Sequence, residues 1–210
     1  MAGARSHGVS SDFYLAHFTK ATGECRFYSW QQLLGAALLE GTPSIHAFQV
    51  GGHEIAYGVG SRIQRICPDL AALDVNGRTT LQFMHSSDLV AKPVWLDAAQ
   101  KYALLNCYGL SMLTYDQIEA QSCLAVNWLE ISRYLVVLDR ATSYIDKAVR
   151  LLLDRLGQGS MTYEGLVASL PITDNNWAPA VPFLLLHRGL AVCRALDTEP
   201  LHKWMLFERS

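Results

Sequence analysis

The sequence predicts a mixed-sheet α/β unit followed by a smaller helical unit that closes on a β-ribbon. Three observations carry this expectation. Between residues 65 and 85, apolar and β-branched segments are broken at Pro68-Asp69 and at Asn76-Gly77, and the Asn-Gly pair is a strong short-range hairpin signal. Apolar residues at helical spacing flank this block, in residues 30–40 and 92–105. From residue 144 onward, three short helical segments precede two apolar segments joined by a polar bend at Asp197-Thr198-Glu199-Pro200.

Taken in order, residues 1–11 are rich in Gly, Ser and Ala and read as a loose arm, with Arg5 and His7 its cationic groups. Residues 30–40 read as a helix: Ser29 supplies an N-cap, Gly41 a stop, and Leu33, Leu34, Ala37 and Leu38 a buried stripe. Residues 44–50 and 53–59 read as short strands around Gly51-Gly52. A strand closing on Pro68-Asp69, a second strand, the Asn76-Gly77 turn and a third strand over 79–84 follow. Residues 92–105 read as a helix with Val94, Trp95, Ala98, Tyr102 and Leu105 on one side, residues 109–114 as a strand, and residues 115–119 as the start of another helix. The first half is therefore a mixed sheet flanked by helices.

Beyond residue 126, helical composition over 129–139 leads into a helix over 144–156 that faces inward with Ile145, Ala148, Val149, Leu152 and Leu153. Gly157-Gln158-Gly159-Ser160 interrupts the chain. Thr162 caps a short helix ended by Pro171, and Asp174 or Asn175 caps a third, which Pro179 and Pro182 confine and Gly189 stops. Residues 190–196 and 201–207 form the closing two-stranded ribbon. Three short helices and a β-ribbon are the layout of a winged helix-turn-helix. The expected division is 12–125 for the sheet-bearing domain and 126–210 for a helical linker with the winged-helix-like domain.

Half the residues are hydrophobic and 17% are charged, a composition that excludes a disordered chain. A net charge of −2 excludes a global basic signature, so any nucleic-acid contact has to be a local patch. The five cysteines are an odd, widely spaced set without C-x-x-C, which argues against a zinc site or a disulfide framework and for a reducing compartment. Residues 1–11 lack the apolar run of a signal peptide, and no apolar stretch approaches membrane-spanning length, so a cytoplasmic location without membrane contact is expected. The seven histidines lack ligand spacing, Ser86-Ser87-Asp88 lacks a nucleophile elbow, and no phosphate-binding glycine loop occurs.

The Pro68-Asp69 strand end and the Asn-Gly hairpin resemble the frame of PD-(D/E)xK metal-dependent nucleases. There the Asp ends one strand, and an acidic residue and a Lys, two apart, share a face of the next. Here those two places hold Gln82 and Met84. Over residues 28–207 the order of parts resembles the TnsA-type endonuclease subunit of heteromeric transposases. The matching stretches are Leu38-Leu39-Glu40, residues 42–49, Cys67-Pro68-Asp69-Leu70, the hairpin, and residues 108–118. The resemblance implies an α/β restriction-endonuclease-like domain followed by a winged-helix-like domain. It also implies a metal-binding Glu on the first helix, and that place falls on Gln32 (or Gln31).

Of four expected groups only Asp69 keeps its chemistry. A hard cation needs anionic oxygen ligands, and the Lys orients water and stabilises charge developing on the phosphate. Gln32, Asp69, Gln82 and Met84 thus read as a vestigial site with no catalytic residue, no metal and no cofactor. Asp74, Glu54, Asp88, Lys92 and His85 are groups that could restore one. Mg²⁺ or Mn²⁺ enters only in the alternative of an active, divergent endonuclease with relocated ligands, where Asp69 would be a metal ligand.

The second half supplies the DNA-binding candidates: Asn175, Asn176 and Trp177 at the start of the third helix, His187 and Arg188 at its end, and Arg194 and Lys203 on the ribbon. Asn can read adenine edges, and Arg or Lys can neutralise phosphates. Against them, residues 145–210 hold seven Lys or Arg and seven Asp or Glu, low for an autonomous DNA binder, so protein docking stands as the competing reading. The expectation is a catalytically inactive TnsA-like protein in a bacterial or phage-infected cell. Its expected role is a DNA-binding or scaffolding subunit of a transposition or related mobile-element complex. The expected partners are DNA and a transposase or other recombination-complex subunits. A protein-docking adaptor without DNA contact is the further alternative.

Overall fold

The structure, a computed structural model, describes residues 13–23, 25–86, 93–140, 142–171 and 177–210. It is a mixed α/β fold with a mixed sheet and seven α-helices among the described residues. A short antiparallel pair, β1 (Tyr14–Leu15) and β2 (Arg26–Phe27), leads into α1 (Trp30–Gly41). As the sequence suggests, Ser29 is the N-cap, its hydroxyl accepting from Gln32 N. Six further strands and α2 follow: β3 (Ile45–Val50), β4 (Ile55–Val59), β5 (Arg62–Ile66), β6 (Leu70–Asp74), β7 (Thr79–His85), α2 (Leu96–Leu105) and β8 (Gly109–Thr114).

The central sheet has the order β3-β6-β7-β8. The first two pairings are antiparallel, and β7–β8, joined through α2, is parallel. The Asn76-Gly77 turn closes β6 on β7: Gly77 takes a left-handed φ of 80°, and the Asp74 carboxylate accepts from Asn76 N and Arg78 N. Strand alternation splits the sheet between two cores. Phe48, Leu70, Ala72 and Met84 join the α1 side, while Ala71, Leu81 and Phe83 pack with Ala99 of α2. β4 and β5 stand apart as their own antiparallel hairpin.

The stripe expected on α2 is corrected. Ala99 and Ala103 are the residues it buries, and Trp95 packs its ring on Phe83 at 4.8 Å, but Val94 and Leu105 are exposed. The helix begins at Leu96, after Val94, and Leu105 is its last residue, so neither reaches the sheet. Lys92, the expected start, lies outside the described residues.

The second half runs α3 (Tyr115–Glu119), α4 (Ser122–Leu135), a 3₁₀ turn (Val136–Arg140), α5 (Thr142–Leu156), β9 (Met161–Thr162) and α6 (Tyr163–Ala168). It continues through a 3₁₀ turn (Ala178–Ala180), α7 (Val181–His187), β10 (Ala191–Val192), a 3₁₀ turn (Arg194–Asp197) and β11 (Leu206–Arg209). Thr114 and Thr162 cap α3 and α6, the former with a full capping box through Gln117. The expected two-stranded ribbon is corrected to a three-stranded sheet, β10-β11-β9, whose middle strand is the last of the chain. Residues 194–197 turn instead of extending. The buried Asn127 amide of α4 donates to Leu196 O (2.8 Å) and Glu199 O (2.7 Å) and accepts from Leu201 N (3.0 Å), which folds that segment against α4.

One buried cluster runs through both halves, from Phe18, Leu34 and Phe48 to Ile131, Leu152, Leu185 and Phe207. Contact between α1 and α4 is close enough that a Cβ on Gly41 would overlap the Trp128 indole.

Candidate functional site

The fold brings Gln32, Asp69, Gln82 and Met84 to one end of the central sheet. Gln32 lies on the buried side of α1, Asp69 immediately precedes β6, and Gln82 and Met84 share the α1-facing side of β7. Backbone pairing fixes the junction, with Asp69 N donating to Gln82 O at 2.9 Å.

The side chains are committed to structural bonds. Gln32 Oε1 accepts from Tyr28 N at 2.9 Å, and Gln32 Nε2 donates to Asp69 O at 3.1 Å. The second bond needs an amide: a carboxylate there would face the Asp69 carbonyl with no proton to offer. Asp69 Oδ2 accepts from Met84 N at 2.7 Å, tying the end of β7 to the start of β6. The Met84 side chain, 4% exposed, runs into the core, where a Cβ on Gly35 would overlap its terminal methyl. A lysine following that path would bury its ammonium against α1. These donors do not fit a divalent cation: one carboxylate already holds an amide, and its neighbours are two neutral amides and a thioether.

The other groups the sequence offered for this site are placed elsewhere. Glu54 pairs with Arg65 at 2.9 Å on the β4–β5 hairpin, and Asp74 caps the β6–β7 turn. His85 follows Met84 on the opposite side of β7, with Nδ1 2.8 Å from Ser86 O. Asp88 and Lys92 lie outside the described residues. Among the described residues no three His, Cys, Asp or Glu side chains converge into a group able to hold a metal ion.

The DNA-binding candidates fall in different surroundings. Asn175 and Asn176 lie outside the described residues, and Trp177 packs, half-buried, on the main core. In the third helix, expected as the groove-reading element, Val181, Pro182, Phe183, Leu185 and Leu186 of α7 are all buried. His187, expected as a phosphate or base contact, is turned inward. Its side chain is 13% exposed, and Nε2 lies 3.1 Å from Glu40 Oε1 and 3.2 Å from Thr19 Oγ1. Arg188, Arg194 and Lys203 are exposed, but each stands beside a carboxylate: Asp146 at 3.8 Å, Glu208 at 3.8 Å and Glu164 at 3.2 Å.

Sequence reasoning missed the polar knot around Glu40, which is fully buried in the last turn of α1. Its Oε1 accepts from Thr19 N and Thr19 Oγ1 and faces His187, and its Oε2 accepts from Lys20 N at 3.0 Å. Lys20 Nζ donates to Glu40 O at 2.8 Å and Thr42 O at 2.7 Å, satisfying carbonyls at the helix end. Burial works to raise the Glu40 pKa. Hydrogen bonds from His187, Thr19 and the Lys20 backbone outweigh it and hold the carboxyl below its ordinary value. Burial pushes the Lys20 ammonium down to about 8 although the Glu40 charge works to raise it. The available signal was an acid at a helix C-terminus, which opposes the macrodipole unless cations gather there. The partners themselves are remote in sequence, and every group in the knot is matched, so its chemistry is that of a fastening.

No protein-family model matches the chain, and no curated protein matches it in sequence. Among the described residues no helix is long and apolar enough to cross a membrane.

Proposed function

We propose that the chain is a catalytically silent, TnsA-like scaffolding subunit of a transposition or related mobile-element complex, with a nuclease-type frame that positions partners and does not cut DNA. The observation that carries this reading is the commitment of Gln32, Asp69 and Met84 to backbone bonds and core packing at the place where a metal site would stand. Leaving aside the separate β4–β5 hairpin, the order of helix, three central-sheet strands, helix and strand, with antiparallel, antiparallel and parallel pairings, supports the PD-(D/E)xK-like assignment of the first half. In the second half, β11 between β9 and β10 after three helices supports the winged-helix-like assignment.

Of the two modes of docking, protein contact is favoured over DNA. The buried α7 offers no polar face to a groove, and carboxylates beside Arg188, Arg194 and Lys203 cancel the field that phosphates require. An open groove of about 880 Å³, lined by Leu15, Trp30, Leu33, Val126 and Tyr134 among others, offers apolar surface to a transposase or another recombination subunit.

Two titrations test the reading. Calorimetry with Mn²⁺ should give no stoichiometric site and the same trace for Asp69→Ala. A site lost in that variant contradicts the silent frame. Duplex DNA followed by anisotropy should bind weakly with a shallow salt dependence, whereas tight binding that falls steeply with salt would make DNA the partner.

A further inference from the structure

Helix α5 keeps one face in the core and gives the other to solvent. Ile145, Ala148, Val149, Leu152 and Leu156 are buried, while Tyr144, Lys147, Arg150, Asp154 and Arg155 are exposed. Arg209 joins them from β11: its Nη1 lies at the helix end, 3.3 Å from where a Cβ on Gly157 would stand. Its neighbour Glu208 pairs instead with Arg194. Arg65, Arg133, Arg188, Arg194 and Lys203 each have a carboxylate within 3.8 Å, but among the described residues none lies in ion-pair reach of Lys147, Arg150, Arg155 or Arg209. Arg150 has Asp146 and Asp154 one turn away on either side, and Asp146 turns to Arg188. A helix C-terminus favours cations, which accounts for Arg155 and Arg209. Lys147 and Arg150 stand in the middle of α5, where the macrodipole gives them nothing.

We infer that this face docks an acidic segment of a protein partner. That the partner is a protein follows from the scaffolding reading above, and the charge of its segment follows from α5. Arginine dominates the face, and its planar fork takes a carboxylate bidentately. Arg and Tyr are also the residues that anchor protein interfaces, and Tyr144, 67% exposed, lies one turn before Lys147. Nucleic acid fits less well. Asp154 stands within the row and Asp146 beside it, so an unbroken line of phosphates would meet both, whereas a peptide with spaced carboxylates leaves them in water. The net charge of −2 adds no long-range pull on a polyanion.

The test is anisotropy of a labelled peptide of alternating Glu and Ala titrated with the full chain, with a Gln–Ala peptide and a short DNA duplex alongside. The Glu peptide should bind, weaken as salt rises and bind more tightly than the duplex, and the Gln peptide should not bind. Lys147→Gln, Arg150→Gln and Arg155→Gln combined should raise its dissociation constant at least about tenfold with an unchanged far-UV spectrum. Arg62→Gln with Arg78→Gln, at exposed cations of the sheet half, should leave it unchanged. An acidic peptide that does not bind overturns the inference, and so does binding indifferent to the α5 substitutions or equally sensitive to the Arg62 and Arg78 pair. Tighter binding of the duplex through the same α5 residues overturns it in favour of nucleic acid. The Mn²⁺ titration reads the surroundings of Asp69, which these variants keep, so the silent frame and this face can fail independently.

Discussion

At the scale of single residues, the neutrality of Gln32 and Met84 is built into the packing. Gln32→Glu removes the donor to Asp69 O and sets a carboxylate against it, so it should cost about 1–3 kcal/mol in urea denaturation. Met84→Lys buries an ammonium beside Gly35 and should cost about 3 kcal/mol or more by the same measurement, without creating cleavage. At the opposite end of α1, Glu40→Gln turns one N–H toward a cluster of donors, with an expected loss of about 3–5 kcal/mol. Lys20 gives a signed pH dependence. Its folded pKa of about 8 lies below the ordinary 10.5, so between these values the unfolded chain holds the extra proton. Stability of the native protein relative to Lys20→Met should therefore rise from about pH 8 to 10.5, in denaturation midpoints taken at intervals across that window. Glu40 acts at the other end: its depressed pKa gives stability above about pH 4.5 that is lost as pH falls.

At the scale of elements, what was legible in the sequence was local. Ser29 caps α1, Asn76-Gly77 closes β6 on β7, and Thr162 caps α6, because each feature depends on neighbours within a few residues; the expected stop at Gly41 lies within the helix, whose C-cap is Thr42. Contacts between distant segments were not legible. The inward turn of His187 depends on Glu40 and Thr19, far upstream, and the third strand beside the ribbon comes from Met161–Thr162, too short for a periodic signal. Asp69, Gln82 and Met84 were placed together by strand alternation, but the depth of Met84 is set by the missing Cβ of Gly35 on another element. That contact carries its own prediction. Gly35→Ala forces α1 off the sheet and should cost about 1–3 kcal/mol by thermal or chemical denaturation, despite replacing glycine inside a helix.

At the scale of the whole molecule, one continuous core and the Glu40 knot join the sheet-bearing half to α7. Circular dichroism and tryptophan fluorescence should therefore trace a single coincident unfolding transition. A frame held this way keeps its shape through its own packing, as the proposed scaffold would require. The most direct test of catalytic silence is nicking of supercoiled plasmid in Mg²⁺ and in Mn²⁺, with protein in excess and Asp69→Ala alongside. Native protein and variant are expected to leave the plasmid equally intact in both metals. Nicking by the native protein that disappears in Asp69→Ala would contradict that silence and make this chain an endonuclease.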